Sequence, residues 1–388
     1  MNYERPPRIS GGLLFDRREM PMLMKLDGSV SAKKPSLLRK TGRFLLAALL
    51  AFLVLEAFSR FYFNKPIHHA TPDGPTDYVW EPHTFYSVWT EGIGWGRTNN
   101  EGFYNAGDWT DGDRADVLIM GSSFMMAEQV PQNRSTAALL GELLPQYRVY
   151  NIGMAAHGML SCFQNLRSAC EKYHPRYVVL DSQVLSFTDE ELQLCLDGEF
   201  PEESSNDNPL LLFLKRSAFL NLLYYQASFY IEDHGGLFSP PELQRLFPAR
   251  EPAIEDSAES SEETDEAVPA AEVTDNRTLL RRVLTRAAEV AAETDTEIIV
   301  VFQPKTWLDG YGGILIYDNS VEGDYDVFYE SCGVHLLNMA NIFRANYDAE
   351  RVLPFGFCNS KVGAGHLNRE GHRMIAEALA ARIGELET

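Results

Sequence analysis

The chain has 388 residues, enough for one large domain or two ordinary ones, and 45% of them are hydrophobic, which is ample for a core. Its formal net charge of −21 excludes an extended nucleic-acid-binding surface, because phosphate binding needs clustered Lys and Arg. The five cysteines form no CxxC pair and have no histidine at metal-ligand spacing, so the sequence predicts no zinc site and leaves disulfide pairing open.

The charge is unevenly distributed. Residues 1–43 carry ten Lys/Arg against four Asp/Glu, a net charge of +6, and residues 251–275 carry ten Asp/Glu and no base. Both segments have too little apolar surface to fold alone. The sequence therefore predicts a disordered tail at 1–43 and a disordered acidic insertion at 251–275.

Residues 44–63 form an apolar stretch that would span about 30 Å as a helix, which is one hydrocarbon thickness. Glu56 and Arg60 interrupt it, but they stand four apart near its far end, where they can pair and reach the interface. No small-x-small site follows the stretch, which favours an uncleaved anchor over a cleaved signal peptide. Because the basic residues precede the span, the sequence predicts a cytoplasmic N terminus, with all residues after 63 outside the cell membrane.

After the anchor, residues 64–115 are rich in Pro, Gly, Asn and Trp and are predicted to form an irregular lead-in on the domain surface. From residue 116 to 388 short apolar strands alternate with helices, which is typical of a parallel sheet covered on both faces. Residues 210–230 are apolar with Lys215 and Arg216 near the middle, which favours a buried or interfacial helical hairpin over a second span. The other predicted elements are strands at 148–152, 177–180, 297–302 and 334–338, and helices at 161–173, 276–294 and 368–386.

The first strand of this domain, 116–120, is followed at once by Gly121, Ser122 and Ser123. A serine on a tight turn between a buried strand and a helix exposes its hydroxyl, and its own N–H can hold an oxyanion. A serine that only caps the helix would give the same pattern. A loop histidine, His366, comes before the last helix with Asn368 as a plausible N-cap. At the same sheet edge it would supply a general base.

The pairing of a strand-Gly-x-Ser-Phe turn with the later HLNREGH segment resembles the SGNH (GDSL-type) hydrolases, in particular a membrane-anchored branch that includes alginate O-acetyltransferase-like proteins. The resemblance extends to residues 98–105 and to residues 149–166, which match the family's second motif at Asn151, Gly153, Gly158 and Gln164. It implies an α/β three-layer sandwich of flavodoxin-like type around a parallel sheet, preceded by one transmembrane helix. Carried over by position, Ser123 is the nucleophile, Ser123 and Ala156 supply the oxyanion N–H groups, and His366 is the base.

Two positions depart from the family pattern. The amide that usually donates to the oxyanion falls on Leu185 or Ser186, and Gln183, or the hydroxyl of Ser182 or Ser186, is the candidate replacement. The acid that usually precedes the histidine falls on Gly363 or Ala364, so a backbone carbonyl or a remote carboxylate would have to orient the imidazole. Losing one oxyanion donor costs about 2.7 to 4 kcal/mol of transition-state stabilisation.

The resemblance implies a membrane-anchored esterase or acyltransferase that acts without a cofactor on an acylated extracytoplasmic glycan, with a membrane-bound acyltransferase as partner. The two departures leave a second hypothesis open, an inactive SGNH-fold accessory or binding protein of an envelope polysaccharide assembly.

Overall fold

A computed structural model describes residues 37–71, 74–199, 209–233, 277–308, 313–316 and 324–388. Residues 1–36 of the predicted tail and the whole predicted acidic insertion lie outside the described residues. The chain divides into two compact units, Met1–Leu50 and Ala51–Thr388.

An apolar helix, α1 (Leu37–Tyr62), opens the described chain, and within the described residues it is the one helix long and apolar enough to cross a membrane. It begins seven residues before the predicted span and ends one residue before the predicted end. Its early residues are exposed throughout. A membrane-crossing helix is expected to present such a surface, because lipid covers it in place of protein.

The predicted irregular lead-in is wrong in its secondary structure. Residues 64–115 contain most of two small antiparallel sheets, one of order β1-β4-β5 and one pairing β2 with β3. Aromatic side chains of this segment lie in the main core, where their rings pack edge to face. These short strands therefore have a buried surface, although their sequences show no alternation of apolar and polar residues. The strands are β1 (Phe63–Asn64), β2 (His68–Ala70), β3 (Tyr78–Trp80), β4 (Phe85–Val88) and β5 (Gly94–Arg97).

The rest of the chain builds the predicted parallel α/β domain. Five strands pair in parallel in the order β12-β9-β8-β6-β7, which, numbered along the chain, is the 2-1-3-4-5 order of flavodoxin-like sheets. The strands of this part are β6 (Val117–Ile119), β7 (Val149–Asn151), β8 (Tyr177–Ser182), β9 (Glu297–Phe302), an antiparallel pair β10 (Thr306–Leu308) and β11 (Ile314–Ile316), and β12 (His335–Asn338).

Helices cover both faces of this sheet, as predicted. The helices are α2 (Ser123–Met126), α3 (Thr136–Leu143), α4 (Met159–Tyr173), α5 (Asp189–Asp197), α6 (Pro209–Lys215), α7 (Ala218–Asp233), α8 (Arg277–Glu293), α9 (Tyr325–Glu330), α10 (Ala340–Glu350) and α11 (Arg369–Leu386).

Two hydrophobic clusters lie on opposite faces of the sheet. Within β8, Val178 and Leu180 pack in one cluster with α4 and α8, whereas Tyr177 and Val179 pack in the other with α3 and α11. This alternation follows from the two-residue period of a strand. The fold is therefore a three-layer α/β sandwich, and the predicted fold class is confirmed. The carboxyl ends of its strands meet at one edge, where ligands bind in open α/β sheets.

Candidate active site

The turn after β6 separates the two neighbouring serines. Ser122 is the N-cap of α2: its Oγ accepts a hydrogen bond from the N–H of Phe124 at 3.3 Å, and its side chain is thus used for the cap. Ser123 is the first residue of the helix. The capping interpretation of the motif therefore applies to Ser122 and leaves the Ser123 hydroxyl available for another contact.

A buried carboxylate from β8 holds this turn in place. Asp181 accepts hydrogen bonds from the N–H and the Oγ of Ser122, both at 2.7 Å, and from Nε2 of Gln303 at 2.9 Å. Gly121 has a φ of +143°, and a Cβ there would lie 1.9 Å from the Asp181 carboxylate. Only glycine therefore fits at this position, which explains why a glycine ends the strand.

The structure brings Ser123 and His366 together across 243 positions of sequence. Oγ of Ser123 lies 2.9 Å from Nε2 of His366, which is direct hydrogen-bonding distance for a nucleophile and its base. His366 stands two residues before the cap of α11, where Asn368 accepts from the N–H groups of Glu370 and Gly371 at 3.0 and 3.1 Å. The cap fixes the point at which the loop carrying His366 ends.

A carboxylate from the lead-in occupies the other side of the imidazole. Oε2 of Glu91 lies 2.6 Å from Nδ1 of His366, and Oε1 accepts the backbone N–H of the same histidine at 2.9 Å. In the tautomer that donates Nδ1–H to Glu91, Nε2 is unprotonated and can accept a hydrogen bond from the Ser123 hydroxyl. Gly365 has a φ of +86°, and a Cβ there would approach Oε1 of Glu91 to 2.3 Å, so glycine makes room for the carboxylate.

Of the two groups that the sequence left open to orient the imidazole, a backbone carbonyl or a remote carboxylate, the structure shows the carboxylate. Gly363 and Ala364 supply no carboxylate, and Glu91 reaches the imidazole from 275 positions away. No local pattern in the sequence identifies Glu91 as that carboxylate. Glycines at 92, 94 and 96 follow it, and such spacing indicates close backbone approach without identifying a partner.

The loop that carries Glu91 is clamped by a single side chain. Asn359 accepts the N–H of Gly92 at 2.9 Å and donates Nδ2 to the carbonyls of Trp89 and Gly92 at 3.0 and 2.8 Å. Gly92 has a φ of +70°, and a Cβ there would lie 2.3 Å from the carbonyl oxygen of Gln129. The carboxylate is therefore held by backbone contacts as well as by the histidine.

The loop after β7 is tied to the serine turn from two sides. Asn151 donates Nδ2 to the carbonyl of Met125 at 2.8 Å, and Met154 donates its N–H to the carbonyl of Gly121 at 2.8 Å. Ala156 follows two residues later, half-buried and with a φ of +63°. Its assignment as an oxyanion donor together with the N–H of Ser123 stays a prediction.

The replacement for the family amide also stays a prediction. Gln183 follows β8 directly and is buried. The hydroxyl of Ser182 is engaged elsewhere, because it donates to the carbonyl of Val184 at 2.5 Å. Of the candidates named from the sequence, Gln183 is the one that carries an amide.

The second histidine of the HLNREGH segment has a structural role. His372 is fully buried, and its Nδ1 accepts the N–H of Thr136 at 3.3 Å and lies 2.9 Å from the Thr136 hydroxyl. Burial, with a smaller contribution from the charge of His366, lowers the pKa of His372 to about 3. His372 is therefore neutral over the physiological range and cannot accept a proton from substrate there.

The described residues contain no group of three His, Cys, Asp or Glu side chains placed to hold a metal ion. All five cysteines lie within them and are free thiols, with four buried and Cys358 exposed. The sequence left disulfide pairing open, and in this structure none of the five cysteines forms a disulfide.

No family model matches the chain, and no curated protein matches it. Solved structures similar to it include proteins described as members of the G-D-S-L family and as an SGNH hydrolase. A protein assigned to the G-D-S-L lipolytic family from Desulfitobacterium hafniense DCB-2 is 12% identical over 68% of this chain and 97% of its own, with a TM-score of 0.33.

Two esterases are similar to the same extent. The psychrotrophic esterase EstA from Pseudoalteromonas sp. is 12% identical over 70% of this chain and 97% of its own, with a TM-score of 0.30. The acetyl xylan esterase AlAXEase is 11% identical over 69% of this chain and 99% of its own, with a TM-score of 0.34. These values are too low to bear on substrate or mechanism, and the alginate branch of the resemblance stays a prediction.

Proposed function

We propose that the protein is a membrane-anchored serine esterase or O-acyltransferase that uses Ser123, His366 and Glu91. The single observation that carries the proposal is the continuous hydrogen-bonded chain from the Ser123 hydroxyl through both ring nitrogens of His366 to the Glu91 carboxylate. Three side chains from three distant segments are joined by consecutive hydrogen bonds. A serine that only caps a helix, or a histidine that only lies on the surface, would not need such partners.

The geometry supports the following steps. Oγ of Ser123 attacks the carbonyl carbon of an ester while Nε2 of His366 takes its proton, and Glu91 stabilises the imidazolium that results. The oxyanion is held by the N–H groups of Ser123 and Ala156. The tetrahedral intermediate expels the alkoxide, which takes the proton from His366, and leaves the acyl group on Ser123.

The acyl group is then removed by the reverse sequence. His366 takes a proton from water or from an acceptor hydroxyl, the resulting oxygen nucleophile attacks the acyl carbonyl, and Ser123 leaves with the proton returned by His366. Water gives a free acid, and a sugar hydroxyl gives a new ester. The proposed substrate is an O-acetylated extracytoplasmic glycan, and a membrane-bound acyltransferase is the proposed partner in transfer. The substrate and the partner rest on the family resemblance.

The anchor and its orientation belong to the same proposal. Helix α1 is about 39 Å long at 1.5 Å per residue, enough to cross a hydrocarbon core of about 30 Å. Arg39, Lys40 and Arg43 lie at its amino-terminal end, and by the positive-inside rule residues 64–388 would then lie outside the cytoplasm.

The competing function is that of an inactive accessory protein. This alternative is favoured by Leu185 and Ser186, which stand where the family usually has an amide that donates to the oxyanion. Glu91 weakens that alternative, because it removes one of the two losses on which the alternative depended. One lost oxyanion donor lowers the rate by on the order of 10² to 10³ and leaves a measurable esterase.

The test is hydrolysis of p-nitrophenyl acetate and of an acetylated oligosaccharide by the full chain in detergent. We expect turnover that Ser123→Ala abolishes and that the control Ser168→Ala leaves intact, since the Ser168 hydroxyl donates to the backbone carbonyls of Asn165 on α4 and Gly74 in the lead-in. Turnover that is equal in wild type and Ser123→Ala would eliminate the esterase and leave the accessory role.

A further inference from the structure

A charged side chain near the end of the apolar helix has an unexpected set of partners. Glu56 accepts hydrogen bonds from the Oγ of Ser217 at 2.6 Å and from the N–H groups of Ala218 and Phe219 at 3.2 and 3.1 Å. It also pairs with Arg60 at 2.9 Å, as the sequence predicted. Glu56 therefore caps the amino terminus of α7, whose first N–H groups have no partner within their own helix.

Further contacts fix α7 along the outer end of α1. The rings of Phe52 and Phe219 meet edge to face at 6.0 Å, and those of Phe63 and Tyr225 lie 4.6 Å apart. From Phe52 in α1 to Phe63 just after it, the partners on α7 follow in the same order, from Phe219 to Tyr225. Helix α7 thus leaves the level of Phe52 and runs in the same direction as α1 toward β1, with α6 leading back into the hairpin turn.

The turn lies near the outer end of α1. Glu56 precedes Tyr62, the last residue of α1, by six residues, which is about 9 Å of helix. At this depth, an unpaired carboxylate or an uncapped helix end would be strongly disfavoured. The Glu56 carboxylate and the N–H groups at the start of α7 are hydrogen-bonded to each other. Two elements that share the outer membrane interface are expected to pair their polar groups in this way.

The hairpin also exposes large apolar side chains. Phe213 on α6 is 71% exposed and Leu223 on α7 is 50% exposed, close to the values for Phe58 and Phe61 on the adjoining part of α1. The exposed Arg216 lies in the turn between them, and its long side chain can extend toward the interface while its stem stays in apolar surroundings. An apolar surface that carries a cation and continues a membrane helix is typical of a helix that lies at the membrane interface.

The same region is joined directly to the candidate active site. The N–H of Trp89 donates to the carbonyl of Tyr62, the last residue of α1, at 2.9 Å, and β1 pairs with β4. Glu91 follows Trp89 by two residues, which is at most about 7 Å of extended chain. The position of the end of α1 relative to the membrane therefore also determines the distance of the candidate active site from the membrane.

We propose that α6, α7 and the outer end of α1 form one lipid-docking surface that seats in the outer leaflet and holds the Ser123 site at the bilayer surface. The partner is the lipid bilayer itself, identified by the apolar side chains, the cation in the turn and the continuity with α1. The inference rests on the membrane anchor of the proposed function, but it does not require that Ser123 be catalytic.

The test measures how close single positions come to lipid. The full chain, with Cys358→Ser to remove the exposed thiol, carries a bimane label at Phe213→Cys or at Leu223→Cys, and is reconstituted in phosphatidylcholine liposomes with or without doxyl-labelled phosphatidylcholine. Phe58→Cys is the lipid-facing reference. Val327→Cys is the matched control, because Val327 on α9 is also 71% exposed.

We expect doxyl lipid to quench labels at 213 and 223 at least half as strongly as the label at 58, and several-fold more than the label at 327. Labels at 213 and 223 quenched no more than the one at 327 would overturn the proposal and show that protein or water covers the hairpin. Hydrolysis of p-nitrophenyl acetate by the same liposomes separates the two claims. Quenching without hydrolysis contradicts only the esterase, and hydrolysis without quenching contradicts only the docking surface.

Discussion

Two regions of the molecule contribute to the candidate site, and they differ in how their residues are constrained. The sheet edge supplies Ser123 and His366 on a turn and a loop whose backbones are fixed by Gly121 and Asn368. The small sheet of β1, β4 and β5 supplies Glu91 from the turn between β4 and β5. A nucleophile and a base need special backbone positions, whereas an acid needs only to reach one ring nitrogen. The first two therefore leave motifs, and the third can come from any segment nearby.

The largest expected effect separates the two histidines of the HLNREGH segment. We expect His366→Ala to lower kcat for p-nitrophenyl acetate by on the order of 10⁵ or more, because removing the base disables the nucleophile as well. His372→Gln should keep most of the activity at pH 8, since its contact is with Thr136. Steady-state kinetics on the two variants checks this, and a comparable loss in both would put the base elsewhere.

The next effect tests the contribution of the small sheet. Glu91→Gln should lower kcat by on the order of 10³ to 10⁴, because a neutral amide can favour the wrong histidine tautomer and cannot stabilise an imidazolium. KM should change little. The control is Glu142→Gln, an exposed carboxylate on α3. A variant with wild-type kcat would mean that the contact with His366 is structural and that the site operates as a serine-histidine dyad.

A smaller effect is expected at the clamp of the Glu91 loop. Asn359→Ala removes hydrogen bonds to the backbone of Trp89 and Gly92, each worth about 1 kcal/mol, and should lower kcat by about 5- to 30-fold. Because Asn359 acts through Glu91, its loss should add less than about 2-fold in the Glu91→Gln background. A double-variant cycle on kcat measures this coupling, and full additivity would contradict a positioning role.

The smallest effect concerns stability and pH. His372 has its pKa lowered from 6.5 to about 3 in the folded chain, so the unfolded chain binds the additional proton between these values. The free energy of unfolding should therefore fall as pH drops from about 6.5 toward 3, by up to about 1.4 kcal/mol per unit from this residue. Urea unfolding of wild type and His372→Gln at pH 7 and 5 should show a shallower pH dependence in the variant. Equal dependence would assign the acid sensitivity to other groups.

The sequence predicted the parts of the fold that follow from repeating patterns. Apolar runs of strand length predicted the ends of β8 and β9 to within two residues. Helical periodicity predicted the ends of α8 and α11 to within one residue. The strands of the lead-in were missed because they are two to four residues long and buried through aromatic contacts between distant segments. Such contacts are set by the tertiary structure, and a local pattern carries no record of them.

The site divides in the same way. Glycine and cap residues mark the turns that carry Ser123 and His366, and the family resemblance assigned the two residues their roles. Glu91 could not be named, since its role depends on Gly365 leaving space and on Asn359 holding a loop 267 positions away in sequence. In the structure, Asp181 sets Ser122 apart from Ser123, because it accepts both the N–H and the hydroxyl of the first serine.

The most direct test of the catalytic assignment is the site of modification by a serine-directed fluorophosphonate, read by peptide mass spectrometry on the full chain in detergent. The account predicts one phosphonylated serine, Ser123, with the labelling rate reduced on the order of 10³-fold in Glu91→Gln and unchanged in Glu142→Gln. No adduct on Ser123 under conditions that label a known serine esterase, or an adduct on Ser122 in its place, would contradict it.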